Sequence, residues 1–144
     1  MIEIRDISKE DLPGLGRLYE ELMGTSTDDV KLRTSFEAIE RTGSYILLGA
    51  FEQNVLAGSL MGIVCQDLVG SCRPFMVIEN VIVSESFRRR GIARALMLEI
   101  EQAAVRRDCS YIIVVSGGQR SEAHRLYEQL GYGDEQVRGF RKHI

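Results

Sequence analysis

A glycine-containing stretch with three consecutive arginines is the clearest sign of chemistry in this sequence: Arg88-Arg89-Arg90-Gly91-Ile92-Ala93. It follows an apolar stretch that predicts a buried strand, and it begins an Ala/Leu/Glu-rich stretch that predicts a helix. The first turn of a helix leaves backbone N–H groups without partners, and its dipole makes that end positive. The stretch therefore favours binding of a phosphate or pyrophosphate. An arginine run is also, however, the usual composition of a solvated surface.

Two other residues could take part in proton transfer. Glu79 interrupts the most apolar predicted strand, Phe75–Val83, where a carboxylate among apolar side chains becomes a better proton acceptor. It could equally form an ion pair, or bind a substrate ammonium group without taking its proton. Tyr127 lies on the apolar face of a predicted helix, a position that by itself is typical of a core aromatic residue.

Composition and charge exclude several classes of protein. The 144 residues carry a net charge of −3 and three cysteines without a C-x-x-C pair, and no His, Asp and Glu cluster has metal-ligand spacing. We expect one domain over residues 1–144, in the cytoplasm, without a metal. The acidic balance argues against a nucleic-acid partner, and the lack of a long apolar run argues against a membrane span.

Charge is unevenly distributed along the chain. Residues 1–87 contain 7 Lys/Arg and 14 Asp/Glu, whereas residues 88–144 contain 11 Lys/Arg and 7 Asp/Glu. An acidic first part and a basic second part suggest a cationic ligand on one side and an anionic ligand on the other. Such a drift of surface charge also occurs without function.

The apolar periodicity predicts a mixed α/β domain with one sheet and the element order β-α-α-β-β-β-α-β-α-β. The predicted strands are 2–6, 45–51, 55–64, 75–83, 111–115 and 137–143. The predicted helices run from about 8 to 23, from about 28 to 42, from 91 to about 107, and from 122 to 130.

The motifs together resemble the GNAT superfamily of acyl-CoA-dependent N-acyltransferases. The arginine stretch at 88–93 fits the family signature [QR]-x-x-G-x-[GA], and residues 78–83 resemble the family's fourth strand. Residues 123–132, AHRLYEQLGY, fit the later helix A-x-x-[LF]-Y-x-x-x-G-[FY]. The order of the elements matches over essentially the whole chain.

The resemblance implies a fold and a donor site. The fold is a single mixed, mostly antiparallel sheet flanked by helices, in which the bulged fourth strand splays from the fifth and leaves a V-shaped cleft. Backbone groups of the fourth strand would pair with the pantetheine arm of acetyl-CoA, and amides at 89–93 would bind its pyrophosphate, with Arg88 and Arg94 as supporting charges. The implied donor-binding residues are Val81, Ile82, Val83, Arg88, Arg89, Arg90, Gly91, Ile92, Ala93, Arg94, Ser121 and Tyr127. Ser121 stands where we expect the family's frequent Asn, and its hydroxyl is shorter.

The resemblance also implies a reaction. Tyr127 occupies the position of the general acid that protonates the departing thiolate, and Glu79 is the candidate base. We expect direct transfer of an acetyl group from acetyl-CoA to a primary amine. Residues 24–44 and 66–74, an early helix with neighbouring loops, would frame the acceptor, and their acidic residues favour a small cationic amine: Asp28, Asp29, Glu37, Glu40 and Asp67. The alternatives are a protein amine as acceptor, or a non-catalytic acyl-CoA-binding regulatory module. Family members frequently dimerise, so the resemblance also carries the expectation of a homodimer.

Overall fold

The computed structural model describes residues 1–116 and 121–144, and its elements follow the predicted order as far as the last helix. The strands are β1 Ile2–Asp6, β2 Tyr45–Glu52, β3 Val55–Cys65, β4 Phe75–Val83 and β5 Ile112–Val114. The helices are α1 Leu12–Met23, α2 Asp29–Thr42, α3 Ile92–Arg106 and α4 Ser121–Gln129. Short 3-10 turns cover Lys9–Asp11 and Glu85–Phe87.

The five strands form one sheet in the order β1-β2-β3-β4-β5. Neighbouring strands are antiparallel except β4 and β5, which are parallel and are connected through α3. Gln53 and Asn54 turn β2 into β3 with φ angles of +50° and +67°. Both values are those of the tight turn whose twist matches a hairpin, so the predicted hairpin is confirmed. The mixed, mostly antiparallel sheet predicted from the family resemblance is also confirmed.

Helix α3 covers one face of the sheet and forms the main core. Leu96, Met97 and Ile100 are fully buried against the strands, together with Met76 and Ile78 of β4. A Cβ placed on Gly62 of β3 would lie 2.8 Å from Ile100 Cδ1, so the absence of a side chain there lets α3 approach the sheet closely. Tyr127 of α4 belongs to the same core cluster.

Helices α1 and α2 cover the opposite face. A second core cluster joins Leu12 and Leu15 of α1 to Phe36 of α2 and Phe51 of β2. Because side chains alternate along β2, Leu48 packs in the α3 core while Leu47 packs with the second cluster. The sheet therefore separates two cores, and any opening between its strands is reached from both faces.

The predicted final strand over 137–143 is not formed, which corrects the last element of the expected order. Residues 133–144 carry no strand in the structure, and Val137 and Phe140 are 67% and 89% exposed. These two apolar residues are three positions apart, so they do not give the period-two alternation that a half-buried strand requires. The charged side chains of the basic residues between and after Val137 and Phe140 are more stable in water than in a protein core.

Candidate active site

The parallel pairing of β4 and β5 ends early. Their register pairs Met76 with Ile112 and Ile78 with Val114, and up to Ser116 the last hydrogen bond between them runs from Val115 N–H to the Ile78 carbonyl at 3.0 Å. Beyond it β4 continues from Glu79 to Val83. We call Glu79–Val83 together with Ser116, which follows Val115, the fork. Over the described residues, this short pairing agrees with the splayed central strands expected from the resemblance.

A β-bulge lies at the start of the fork. Asn80 has a φ of +58°, and the register between β3 and β4 shifts by one residue, so that Asn80 and Val81 lie opposite Leu60. A bulge of this kind bends the strand and changes which face its side chains point to. Met76 and Ile78 point to the α3 core before the bulge, whereas Val81 points there after it. Val81 and Ile82 are buried, and Val83 packs at the edge of the same core.

The turn after β4 is attached to α1 by a carboxylate. Glu21 accepts hydrogen bonds from Ser84 Oγ at 3.0 Å and from Glu85 N–H at 3.1 Å. Arg88 adds a second attachment, because its Nε donates to the Val83 carbonyl at 3.1 Å. These bonds fix the path from the end of β4 to the arginine stretch. Sequence reasoning missed Glu21, since it lies 63 positions before Ser84 in the chain.

Gly91 begins α3 in a conformation suited to glycine. Its φ is +76°, and no side chain of the described residues caps the helix. Apart from Gly91 and its two chain neighbours, no described atom lies within 4 Å of the place where a Cβ would stand. The N–H groups of the first helical turn have no partners inside the helix, and the helix dipole is positive there. Arg89, with a φ of +64°, adds a second left-handed residue to the turn. The arrangement offers converging backbone donors to an anion at an open helix start.

The arginines of the stretch have different surroundings. Arg90 forms an ion pair with Glu52 at 2.7 Å, and this hydrogen bond lowers the pKa of the Glu52 carboxyl. Arg89 lies 3.9 Å from Glu122 with both side chains largely exposed, and Arg94 is exposed. Arg90 thus connects the turn to the end of β2. The Glu52 partner is 38 positions away, and no local pattern in the sequence could have revealed it.

Tyr127 lies on the α3 side of the sheet. Its side chain is 8% exposed, and its ring meets that of Tyr132 edge-on, with centroids 6.3 Å apart. The Tyr132 hydroxyl donates to Glu101 Oε2 at 2.7 Å, and burial together with this bond raises the pKa of Tyr132. The Tyr132 ring, which is held by its bond to Glu101, therefore packs against the Tyr127 ring. The sequence did not reveal this contact.

Glu79 lies on the other side of the sheet. It follows Ile78 directly, stands opposite Met61 of β3, and is half-buried. Because Ile78 points to the α3 core, Glu79 points to the face covered by α1 and α2. The two expected catalytic residues therefore lie on opposite faces of the sheet. Ser121 begins α4, but its side chain lies outside the described residues, as do residues 117–120 of the preceding loop.

Ser116 is a further feature of the fork. Its hydroxyl oxygen is buried and has no hydrogen-bond partner among the protein atoms of the described residues. Ser116 follows Val115, the residue that makes the last hydrogen bond to β4. No sequence pattern selects Ser116, because serine is common in the loops that follow strands.

Some of the acidic residues expected around the acceptor are engaged locally. Asp28 caps α2 by accepting from Lys31 N–H at 3.0 Å, Glu37 lies 3.6 Å from Lys9 Nζ, and Asp67 accepts from two backbone amides of its own loop.

Among residues 1–116 and 121–144, no three His, Cys, Asp or Glu side chains are grouped to hold a metal ion. The helices in this part of the chain are all too short or too polar to cross a membrane.

Comparison with known proteins agrees with this geometry. The model of the acetyltransferase (GNAT) family matches residues 3–132. Aminoglycoside N(6')-acetyltransferase type 1 of Salmonella enteritidis is 24% identical over 146 residues, which cover 98% of this chain and 99% of that protein.

Solved structures share the fold over the full length. A protein of Bacillus halodurans described as a transcriptional regulator superposes with a TM-score of 0.93 at 23% identity, covering 100% of both chains. AAC(6')-Iy, in complex with a bisubstrate analogue of CoA and acetylneamine, superposes with a TM-score of 0.82 at 22% identity and covers 100% of this chain and 99% of its own.

Proposed function

We propose that this chain, which belongs to the acetyltransferase (GNAT) family, transfers an acetyl group from acetyl-CoA to the primary amine of a small cationic molecule. Family membership makes the chain an acyltransferase, which argues against the alternative of a binding-only module. The observation that carries the proposal is the fork, with an open, uncapped helix start at Gly91 beyond its end.

The diphosphate of the donor binds at the start of α3 in this proposal. The backbone amides of residues 89–93 supply the donors, and the open space at Gly91 admits the phosphate oxygens. Arg88 and Arg94 add positive charge beside that site, while Arg90 reaches the ligand only by exchanging its bond to Glu52. Charged hydrogen bonds of this kind are about twice as strong as neutral ones.

The arm of the donor lies along the fork. The five residues from Glu79 to Val83 extend over about 17 Å at the usual rise of a strand. An extended chain with two amides can lie beside backbone groups of Val81, Ile82 and Val83 much as a neighbouring strand would. With the diphosphate at the Val83 end, the thioester reaches the closed end of the fork, beside Glu79.

The chemistry follows from what lies at that closed end. The neutral amine nitrogen attacks the thioester carbonyl carbon and forms a tetrahedral intermediate. The carbon–sulfur bond then breaks, the electron pair leaves with sulfur, and the Tyr127 hydroxyl protonates the thiolate. The attacking nitrogen loses one proton on the opposite face, to Glu79 directly or through water. An acid and a base on separate faces of the sheet can act without neutralising each other.

The acceptor is proposed to be cationic on two grounds. The first is the acidic balance of residues 1–87, which attracts positive charge toward the α1 and α2 side. The second is the name of the Salmonella relative, an acetyltransferase of aminoglycosides, which are amino sugars with several amines. Glu79 and Asp29 are acidic residues on this side.

A thiol-release assay tests the proposal. Purified protein is incubated with acetyl-CoA and a panel of amines: an aminoglycoside, a linear polyamine, a free amino acid and a lysine peptide. We expect free CoA with the small polycationic amines, and faster release as pH rises from about 6 to about 9, because more amine is neutral. Release with the lysine peptide alone would instead favour a protein acceptor. No release with any amine would contradict the proposed transfer.

A further inference from the structure

The Ser116 hydroxyl has no hydrogen-bond partner among the described residues to account for its burial. Its oxygen is inaccessible to solvent, and it forms no hydrogen bond within the part of the chain that the structure describes. A buried hydroxyl without a partner is unfavourable, and the large majority of buried polar atoms in native proteins are bonded. A trapped water or a ligand at this point would supply the partner that the described residues do not.

The position of Ser116 favours a ligand. It comes directly after Val115, whose N–H makes the last bond between β5 and β4. Ile112 and Val114 pack against the α3 core, and continuing the alternation of side chains places Ser116 on that same face. Tyr127 belongs to that core as well. The hydroxyl is therefore at the closed end of the fork, on the side of the proposed general acid.

The direction in which the donor enters the fork decides which part of the donor lies beside Ser116. A donor with its diphosphate at Gly91 enters from the Val83 end of β4, so its thioester end lies deepest. The group next to the sulfur in acetyl-CoA is an amide. Its N–H and its carbonyl can each pair with a hydroxyl, which is both a donor and an acceptor.

We propose that Ser116 is a donor-binding residue whose hydroxyl forms a hydrogen bond with the amide adjacent to the sulfur of acetyl-CoA. This inference rests on the proposed function, since it takes the same donor in the same orientation. The proposed contact is beside the thioester end of the donor, whereas the Gly91 region binds the diphosphate at the other end of the arm. A bound donor would satisfy an oxygen that the described residues leave unbonded.

Calorimetric binding of CoA tests the inference without requiring turnover. The variant is Ser116→Ala, and the matched control is Ser110→Ala, which makes the same change before the other end of β5, where Ser110 Oγ donates to the Pro74 carbonyl at 3.3 Å. We expect Ser116→Ala to weaken CoA binding about three- to tenfold, the usual effect of one hydrogen bond. Ser110→Ala should bind CoA like the wild type.

Thermal unfolding of the ligand-free proteins gives the second readout. Removing a buried hydroxyl that has no partner should leave the unfolding temperature of Ser116→Ala unchanged or raise it. A lowered unfolding temperature would mean that the hydroxyl supports the protein itself, and it would overturn the inference. Equal CoA affinity in Ser116→Ala and wild type would overturn it too, since a trapped water would then be the partner. Wild-type protein that binds no CoA would refute the proposed function and this inference together.

Discussion

Ile78 and Val115 form the last hydrogen bond between β4 and β5, with 3.0 Å between the Ile78 carbonyl oxygen and the Val115 nitrogen. The positions that follow them, Glu79 and Ser116, are the first residues of the fork. Glu79 points to the face covered by α1 and α2, and Ser116 follows the strand positions that face α3. A ligand that separates the two strands therefore meets side chains from both faces at one depth.

Gly91→Ala should weaken donor binding more than it destabilises the protein. The left-handed φ of +76° opposes a side chain, and the new methyl group would stand in the open space where phosphate is proposed to bind. Hydrogen bonds to a charged group contribute about 1.5–3 kcal/mol each, so we expect the KM for acetyl-CoA to rise about tenfold or more.

Gly43→Ala is the matched control for that variant. Gly43 ends α2 with a φ of +68°, and no atom lies within 4 Å of the position of its missing Cβ. Both variants should lose about 1 kcal/mol of stability in urea unfolding, from the same backbone strain. Equal KM values in the two variants would contradict the placement of the diphosphate at Gly91.

Tyr127→Phe should lower kcat about 100-fold or more while the KM for acetyl-CoA stays within about twofold. The change keeps the ring that packs against Tyr132 and removes the hydroxyl that is proposed to protonate sulfur. Tyr111→Phe is the control, since Tyr111 is 48% exposed and stacks on Phe75 with centroids 5.1 Å apart. A Tyr127→Phe enzyme with wild-type kcat would exclude the general-acid role.

Glu79→Gln should separate a base from a substrate ligand by its pH profile. If Glu79 accepts the proton, the variant loses activity at neutral pH and recovers toward the wild-type rate as pH approaches the pKa of the amine, because the amine then deprotonates in solution. Steady-state rates measured at saturating amine from about pH 6 to about pH 10 give the comparison. An unchanged kcat with a raised KM for the amine at every pH would instead identify Glu79 as a ligand of the ammonium group.

Asp11→Asn should destabilise the protein in a pH-dependent way. Its hydrogen bond from Arg5 lowers the pKa of the Asp11 carboxyl from about 3.8 to about 2, and Ser8 donates to it as well. A lowered folded pKa adds stability above the unfolded pKa, and this stability is lost as pH falls through the folded value. We expect a deficit of about 2 kcal/mol in urea unfolding at pH 7, shrinking between about pH 4 and about pH 2.

Asp134→Asn in the exposed tail is the control for that measurement and should match the wild type at each pH. A deficit of Asp11→Asn that does not change with pH would mean that the lost hydrogen bonds, and not the charge of the carboxylate, stabilise this corner.

Local patterns predicted most of the fold. The alternation and apolar content of 45–51, 55–64 and 75–83 predicted three strands. The two polar residues Gln53 and Asn54 between the first two predicted the hairpin, and asparagine tolerates the positive φ that this turn requires. The segment at 137–143 was wrongly predicted as a strand, because its apolar residues Val137 and Phe140 lie three positions apart and lack the alternation that a half-buried strand requires. The bulge at Asn80 came from the family resemblance alone, because asparagine tolerates this φ but does not demand it.

The parts of the candidate site that depend on local backbone structure could be predicted from the sequence. The parts that depend on contacts between residues far apart in the chain could not. The position of Gly91 at a helix start follows from the residues around it. The bond from Arg90 to Glu52 and the bonds of Glu21 to the turn after β4 join residues far apart in sequence. The burial of the Ser116 oxygen depends on packing, so it cannot be predicted from the residue type.

A crystal structure of the complex with CoA tests the central claim most directly. We expect the diphosphate to lie within about 3.2 Å of backbone nitrogens between Arg89 and Ala93, with the arm running along Val81–Val83 and the sulfur between Glu79 and Tyr127. CoA bound elsewhere, with β4 and β5 paired past Ile78 and those nitrogens bonded to protein atoms, would contradict the account.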